Sequence, residues 1–171
     1  MLDKKVVQLL NEQITKEFYS AYLYLDFSNY YYDRELNGFG NWYKIQAQEE
    51  RDHALLFMEY LQLNGERPVL DTINKPAVEL TSDGQVLREG LKHEQYVTSL
   101  IHDIYEAAYN VRDFRTMQFL DWFVKEQAEE ENTADSLIKK FELYGSDPRS
   151  LYMLDSEMAA RVYAAPSLTV G

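Results

Sequence analysis

The sequence predicts an all-α protein: a bundle of four long helices, a long crossover between the second and third, and a short fifth helix at the C-terminal end. Three observations predict it. Gly and Pro are scarce, 7 and 4 in 171 residues, and fall in a few places. Apolar residues recur at three- and four-residue spacing through four long stretches, as one face of a helix requires. Near the middle of each apolar stripe stands an acid, Glu17, Glu50, Glu94 or Glu130. The length suits a single domain over residues 1–171 with a sizeable core.

The first helix is expected from Lys4 to Asp33, with Leu10, Ile14, Ala21, Tyr24 and Ser28 on its inner face. Asn37, Gly38 and Gly40 read as a break. The second helix then runs from about Asn41 to Asn64 and stops at Gly65. Residues 65–82 hold Pro68 and Pro76 and show no helical period. Such a segment can reach roughly 55–60 Å when extended, against about 36 Å for the helix before it. It can therefore run the length of the bundle, which explains so long a loop in a compact domain. Ser82 or Asp83 caps the third helix, which ends near Asn110. The fourth runs from about Phe114 to Tyr144 and ends at Gly145. Asp147 followed by Pro148, a cap and then Pro at the first helical position, opens a short fifth helix that ends before Pro166.

Traced along their inner faces, the helices give Leu10, Ile14, Glu17, Ala21 and Tyr24; Gln46, Glu50, His53, Phe57 and Tyr60; Leu87, Leu91, Glu94, Ile101 and Tyr105; and Leu120, Phe123, Gln127, Glu130, Ala134, Leu137 and Phe141. A lone acid on such a face is more often a salt bridge or a misplaced stripe. Four at matching depth, beside His53 and with no Lys or Arg on those faces, call for a bound cation, because burying unpaired carboxylates is expensive. Glu50 and His53, three residues apart, offer carboxylate and imidazole to one volume, a donor set suited to iron. Zinc usually takes more His or Cys, and magnesium and calcium rarely take a helix-borne His. His93 and His102 have no such context and are expected at the surface or at an interface. Trp122, one residue before the inner face, is given no role beyond proximity, and Tyr30 to Tyr32 are expected to pack or to face a neighbouring subunit.

The composition narrows the function. A formal net charge of −12 argues against nucleic acid as a partner, since phosphate binding wants a basic surface, and suits a surface that collects cations. Without Cys, disulfides, thiolate catalysis and Cys-ligated metal centres are excluded. No stretch approaches the roughly 18 apolar residues of a membrane span. The opening MLDKKVVQLLNEQ has no apolar block of a signal peptide. A cytoplasmic protein with no membrane partner is the expectation.

Two segments carry a family resemblance. Asn11-Glu12-Gln13 through Glu17 to Tyr24, followed by Gln48-Glu49-Glu50-Arg51-Asp52-His53, resembles a ferritin. The run from Trp122 to Glu131 is similar to prokaryotic non-haem ferritins in particular. The one-crossover bundle is the known arrangement of ferritin-like folds. The resemblance implies that Glu17, Glu50 and His53 hold a first iron and that Glu50 bridges to a second iron held by Glu94, with Gln127 and Glu130 close by. It places Tyr24 beside the pair as a hydrogen-bond donor and candidate electron source, and makes Glu49, Glu126, Glu129 and Glu130 a third iron site. On composition alone, the acids from Glu126 to Glu131 read equally well as a solvated helix face.

The resemblance further implies iron storage in a shell of 24 subunits, with ferroxidase chemistry driven by O2 or peroxide. Symmetric di-iron relatives carry a second Glu-x-x-His where this chain has Gln127 and Glu130, which argues against bacterioferritin and rubrerythrin. Bacterioferritin's haem-ligating Met is replaced by Arg51, so no haem is expected. Rubrerythrin also needs Cys, and the fifth helix fits the DNA-coating mini-ferritins poorly. The alternatives are a non-storing carboxylate di-iron oxidase on the same bundle and a purely structural bundle.

Overall fold

The computed structural model describes residues 2–171, and among them there are five helices and no strand. They are α1 (Lys4–Asp33), α2 (Asn37–Leu63), α3 (Asp83–Asn110), α4 (Phe114–Tyr144) and α5 (Pro148–Ala159). The helix α1 packs chiefly on α2, α3 packs chiefly on α4, and α5 lies against α2. Residues 64–82 form the crossover without regular structure, as the sequence predicts. No helix among the described residues is long and apolar enough to cross a membrane.

Side-chain caps start four of the helices. Asp3 accepts from the Lys5 amide at 2.8 Å, Ser82 from Gln85 at 3.3 Å, Asp113 from Thr116 at 3.1 Å and Asp147 from Ser150 at 2.8 Å. Each such cap stabilises its helix by about 1 kcal/mol. The helix α2 is different. Its N-cap, Leu36, offers no side-chain bond, and the Phe39 amide instead donates to Asp155 of α5 at 3.0 Å. An acid from another helix thus satisfies an open amide and meets the positive end of the helix dipole.

This contact corrects the sequence reading at Asn37 to Gly40. Those residues do not break the chain; they form the first turn of α2, and the interruption is confined to Arg34–Leu36. Gly38 is there for packing: a Cβ on it would lie 1.7 Å from the Asp155 carbonyl oxygen. At the other end of α2, Gly65 takes the left-handed φ of 78° that follows a helix stop. The fifth helix ends at Ala159, and the residues beyond it continue as an extended strap.

The core has two apolar halves. One contains Leu10, Ile14, Phe57, Leu61, Ile101 and Phe123. The other contains Phe27, Tyr31, Phe39, Tyr43, Leu87 and Leu137. Between them lies a polar layer in which Glu17, Glu50, His53, Glu94, Gln127 and Glu130 are all buried. Four positions traced to the inner stripes, Leu91, Tyr105, Ala134 and Phe141, are only half-buried, while Val97 and Ile104 fill the α3 face instead. Tyr105 stays near the surface because its hydroxyl donates to Asp121 at 2.9 Å.

Candidate metal centre

The polar layer is built from one helical turn of each long helix. On α1, Gln13 and Glu17 are four residues apart, and the Gln13 amide donates to Glu17 Oε1 at 2.8 Å. Glu17 Oε2 is buried with no hydrogen-bond partner. On α2, His53 Nδ1 lies 3.4 Å from Glu50 Oε2. Ligand-type atoms of Glu17, Glu50 and His53 come within 4.8 Å of one another. These are donors for one small cation, and a buried carboxylate oxygen with no hydrogen-bond partner suits a metal ion.

The other half is held by amides. Gln127 Nε2 donates to Glu94 Oε2 at 3.1 Å and to the Glu94 carbonyl at 3.2 Å, and the Tyr24 hydroxyl donates to Glu94 Oε1. Gln46 spans the halves, its Nε2 donating to Glu50 Oε1 at 3.0 Å and to Glu130 Oε2 at 2.9 Å. Among the described residues no imidazole hydrogen-bonds to Glu94, Gln127 or Glu130.

Electrostatics follow from this packing. Burial, reinforced by the Glu50 charge, pushes Glu17 up to about 8 and Glu130 up to about 7. Burial also raises Glu94 well above the carboxylate range, with Glu50 and Glu130 adding to it. Glu50 goes the other way: burial alone would raise it, but its bond to His53 and the amide of Gln46 together hold it low. Burial would lower His53, yet Glu50 and Glu17 outweigh it and push the imidazole up to about 10. Glu50 and His53 thus favour an ion pair, while Glu17, Glu94 and Glu130 around them hold their protons well above the ordinary carboxylate range. Tyr24 is raised well above its ordinary value by burial and by Glu94, so its phenol stays protonated.

Beside the centre lies an open cavity of about 320 Å³. Glu49, His53, Trp122, Glu126, Glu129 and Glu130 line it on the bundle side, and the strap lines it on the other. The third-site acids of the sequence reading thus share one cavity with His53. Glu49 and Glu126 are half-buried, whereas Glu129 is exposed and 3.5 Å from Lys125.

Sequence reasoning missed two neighbours. His93 is not a plain surface residue: its Nε2 lies 2.8 Å from Ser20 Oγ and its ring meets Tyr24 edge-on at 5.7 Å. Burial lowers its pKa, so it stays neutral. Its position beside Glu94 on the third helix was the available signal. Arg161 reaches the acids from beyond the last helix and bonds to Glu49 and Gln46. Nothing in the local pattern around Arg161 marks it. His102 is exposed, in line with expectation, and Trp122 packs its ring 5.5 Å from His53. Of the tyrosines at 30–32, Tyr31 is wholly buried against Phe39 and Tyr43, and Tyr32 is exposed.

A four-helix bundle with one long crossover and a buried carboxylate–imidazole centre defines the class of intra-bundle carboxylate metalloproteins. The chain matches the family model of the ferritin-like domain over residues 7–144 and belongs to the ferritin family. It is 37% identical over 163 residues to a bacterial non-heme ferritin of Staphylococcus epidermidis, covering 95% of this chain and 98% of that one. It is 37% identical to a bacterial non-heme ferritin of Campylobacter jejuni, covering 91% and 93% of the two chains. Among solved structures, an open pore ferritin of the hyperthermophilic archaeon Archaeoglobus fulgidus superimposes with a TM-score of 0.92 at 39% identity, covering 95% of this chain and 100% of that one.

Proposed function

We infer that this chain is the subunit of an iron-storage ferritin that oxidises Fe(II) inside its bundle and passes Fe(III) to a mineral in a protein shell. The observation that carries the reading is the Glu17–Glu50–His53 group, gathered within 4.8 Å around an unpartnered buried oxygen. Fe(II) is the substrate. Glu17, Glu50 and His53 hold the first ion, Glu50 bridges, and Glu94 with Gln127 and Glu130 serves the second. Binding displaces the protons that burial keeps on Glu17, Glu94 and Glu130.

Two Fe(II) supply two electrons. With two protons these take O2 to hydrogen peroxide, or hydrogen peroxide to two waters. Tyr24 keeps its proton and orients Glu94 through its hydroxyl. Glu49, Glu126, Glu129 and Glu130, which line the cavity beside the centre, hold a third iron. The large acidic excess favours cation collection.

Assembly as a shell of 24 subunits in the cytoplasm completes the reading. Tyr22 and Leu25 on α1 and Val69, Leu70 and Ile73 in the crossover are exposed apolar side chains that neighbouring subunits would cover. The test is Fe(II) oxidation by Glu17→Ala and His53→Ala, with size-exclusion chromatography alongside. Slow oxidation in an intact large particle supports the reading. Wild-type rates sink the site, and a small oligomer points to a non-storing di-iron oxidase.

A further inference from the structure

Arg161 brings a guanidinium into the acid cluster from outside the four-helix bundle. It stands at the head of the strap, just past the end of α5. Its Nη1 donates to Gln46 Oε1 at 2.9 Å and to the Trp42 carbonyl at 3.3 Å. Its Nη2 donates to Glu49 Oε2 at 2.5 Å, and its guanidinium carbon lies 4.2 Å from the centroid of the Trp42 ring. Downstream the strap is tied along the bundle: Tyr163 donates to Asp52 at 2.5 Å, and Trp122 donates to Ser167 at 3.0 Å. Leu168 and Val170 then pack on the core.

These contacts link two parts of the site. Gln46 spends its amide N–H groups on Glu50 and Glu130, and its oxygen accepts from Arg161. Flipped, the amide would face its oxygen to two carboxylates and its N–H groups to a guanidinium, so Arg161 fixes its orientation. Arg161 also neutralises Glu49. A planar guanidinium with one nitrogen on Gln46 and the other on Glu49 makes a directional, charge-assisted hold of this kind.

We propose that Arg161 is a positioning residue that a third metal ion must displace from Glu49, so that filling the third position releases Gln46 and loosens its hold on Glu50 and Glu130. The proposal rests on the assignment of Glu49, Glu126, Glu129 and Glu130 as the third position. Arg161 holds Glu49 Oε2 and brings a positive charge, so a metal ion that takes this carboxylate competes with the guanidinium. Once Arg161 leaves, the Gln46 oxygen loses its donor and the amide is free to turn. The coupling is reciprocal: with Arg161 seated, the third ion binds more weakly. Arrival of a cation at the third position would then favour release from the half of the centre that lacks an imidazole.

The test uses Zn(II) alone, which binds without redox chemistry, added to the metal-free assembled protein. Calorimetry should show the third equivalent binding about tenfold tighter in Arg161→Gln, with Arg161→Lys intermediate, since an ammonium keeps the charge but not the fork that reaches Glu49 and Gln46 together. Lys125→Gln removes the same charge from an exposed pair on Glu129 without touching Glu49, and should shift the third equivalent no more than about twofold. In Trp122→Phe, where Trp42 is the remaining indole, the first two equivalents should leave its emission unmoved and the third should shift it as the guanidinium departs. A third equivalent that binds no tighter in Arg161→Gln, or that leaves Trp42 unmoved, overturns the proposal. Fewer than two ions bound by the wild type overturns the metal-centre reading itself, a different and separately visible outcome.

Discussion

The Glu17 carboxylate and the Gln13 amide, one turn apart on α1, make a single hydrogen bond of 2.8 Å that leaves the second carboxylate oxygen buried and unpartnered. Burial raises Glu17 to about 8, so its ionised form is costly without a metal. Glu17→Gln keeps the shape and removes the charge. At pH 8.5, metal-free Glu17→Gln should be more stable than wild type, because the fold disfavours the ionised carboxylate and the variant carries no charge. Its Fe(II) oxidation should fall at least about tenfold. Chemical denaturation of the metal-free protein checks the first claim, and an equal or lower stability for the variant would refute it.

The same acids set a pH dependence for the whole metal-free protein. Glu17, Glu94 and Glu130 are raised in the fold, so between about pH 5 and 8 the folded chain holds protons that the unfolded chain has lost. His53, raised to about 10, keeps its proton from about pH 6.5 upward while the unfolded imidazole loses it. In each case the folded state binds more protons, so stability falls as pH rises through this window. Glu50 is lowered, and its contribution is lost only on the acid side, below the ordinary carboxylate value. The melting temperature with chelator should drop from pH 5 to pH 8.5, and a saturating divalent metal should raise it most at the alkaline end. A flat or rising metal-free profile would contradict the assignment of buried, protonated acids.

The legibility of the site follows from helical geometry. Glu17, Glu50, His53, Glu94, Gln127 and Glu130 lie on four long helices, where three- and four-residue spacing fixes which side chains turn inward, and all six are buried. Composition does not distinguish a glycine that ends a helix from one that, like Gly38, lets another helix touch it. Arg161 was invisible because its partners, Glu49 and Gln46, lie more than a hundred residues earlier and the strap that carries it has no period. Local pattern reads the faces of long helices well; it does not read what an irregular segment lays across them.

The seat of α5 rests on Gly38. Substituting Ala places a methyl group where the Asp155 carbonyl stands, and the helix must move away. Overpacking of this kind costs about 1–3 kcal/mol. The displacement also withdraws Asp155 from the Phe39 amide, leaving α2 without a partner at its start. Gly38→Ala should lower the melting temperature by several degrees, whereas Asp155→Asn should cost about 1 kcal/mol or less. Because the strap leaves from α5, Gly38→Ala should also loosen Arg161, seen as a change in Trp42 emission. Unchanged melting would show that α5 contributes little to the subunit.

The unequal halves of the centre bear on turnover. Glu17, Glu50 and His53 supply an imidazole and two carboxylates, while Glu94, Gln127 and Glu130 supply carboxylates and an amide. Imidazole adds a stronger borderline donor, so the second ion should be the more weakly held. Exchanging Gln127→Glu and Glu130→His together would give α4 the Glu-x-x-His spacing found on α2. The second metal ion should then bind about tenfold tighter in an anaerobic titration. A single charge of two Fe(II) per subunit should still be oxidised at a rate within a few-fold of wild type. Repeated additions should slow markedly, because the oxidised product leaves a firmer site more slowly. The comparison separates chemistry from release: if the repeated additions proceed as fast as in wild type, the weak half is not what lets the product go.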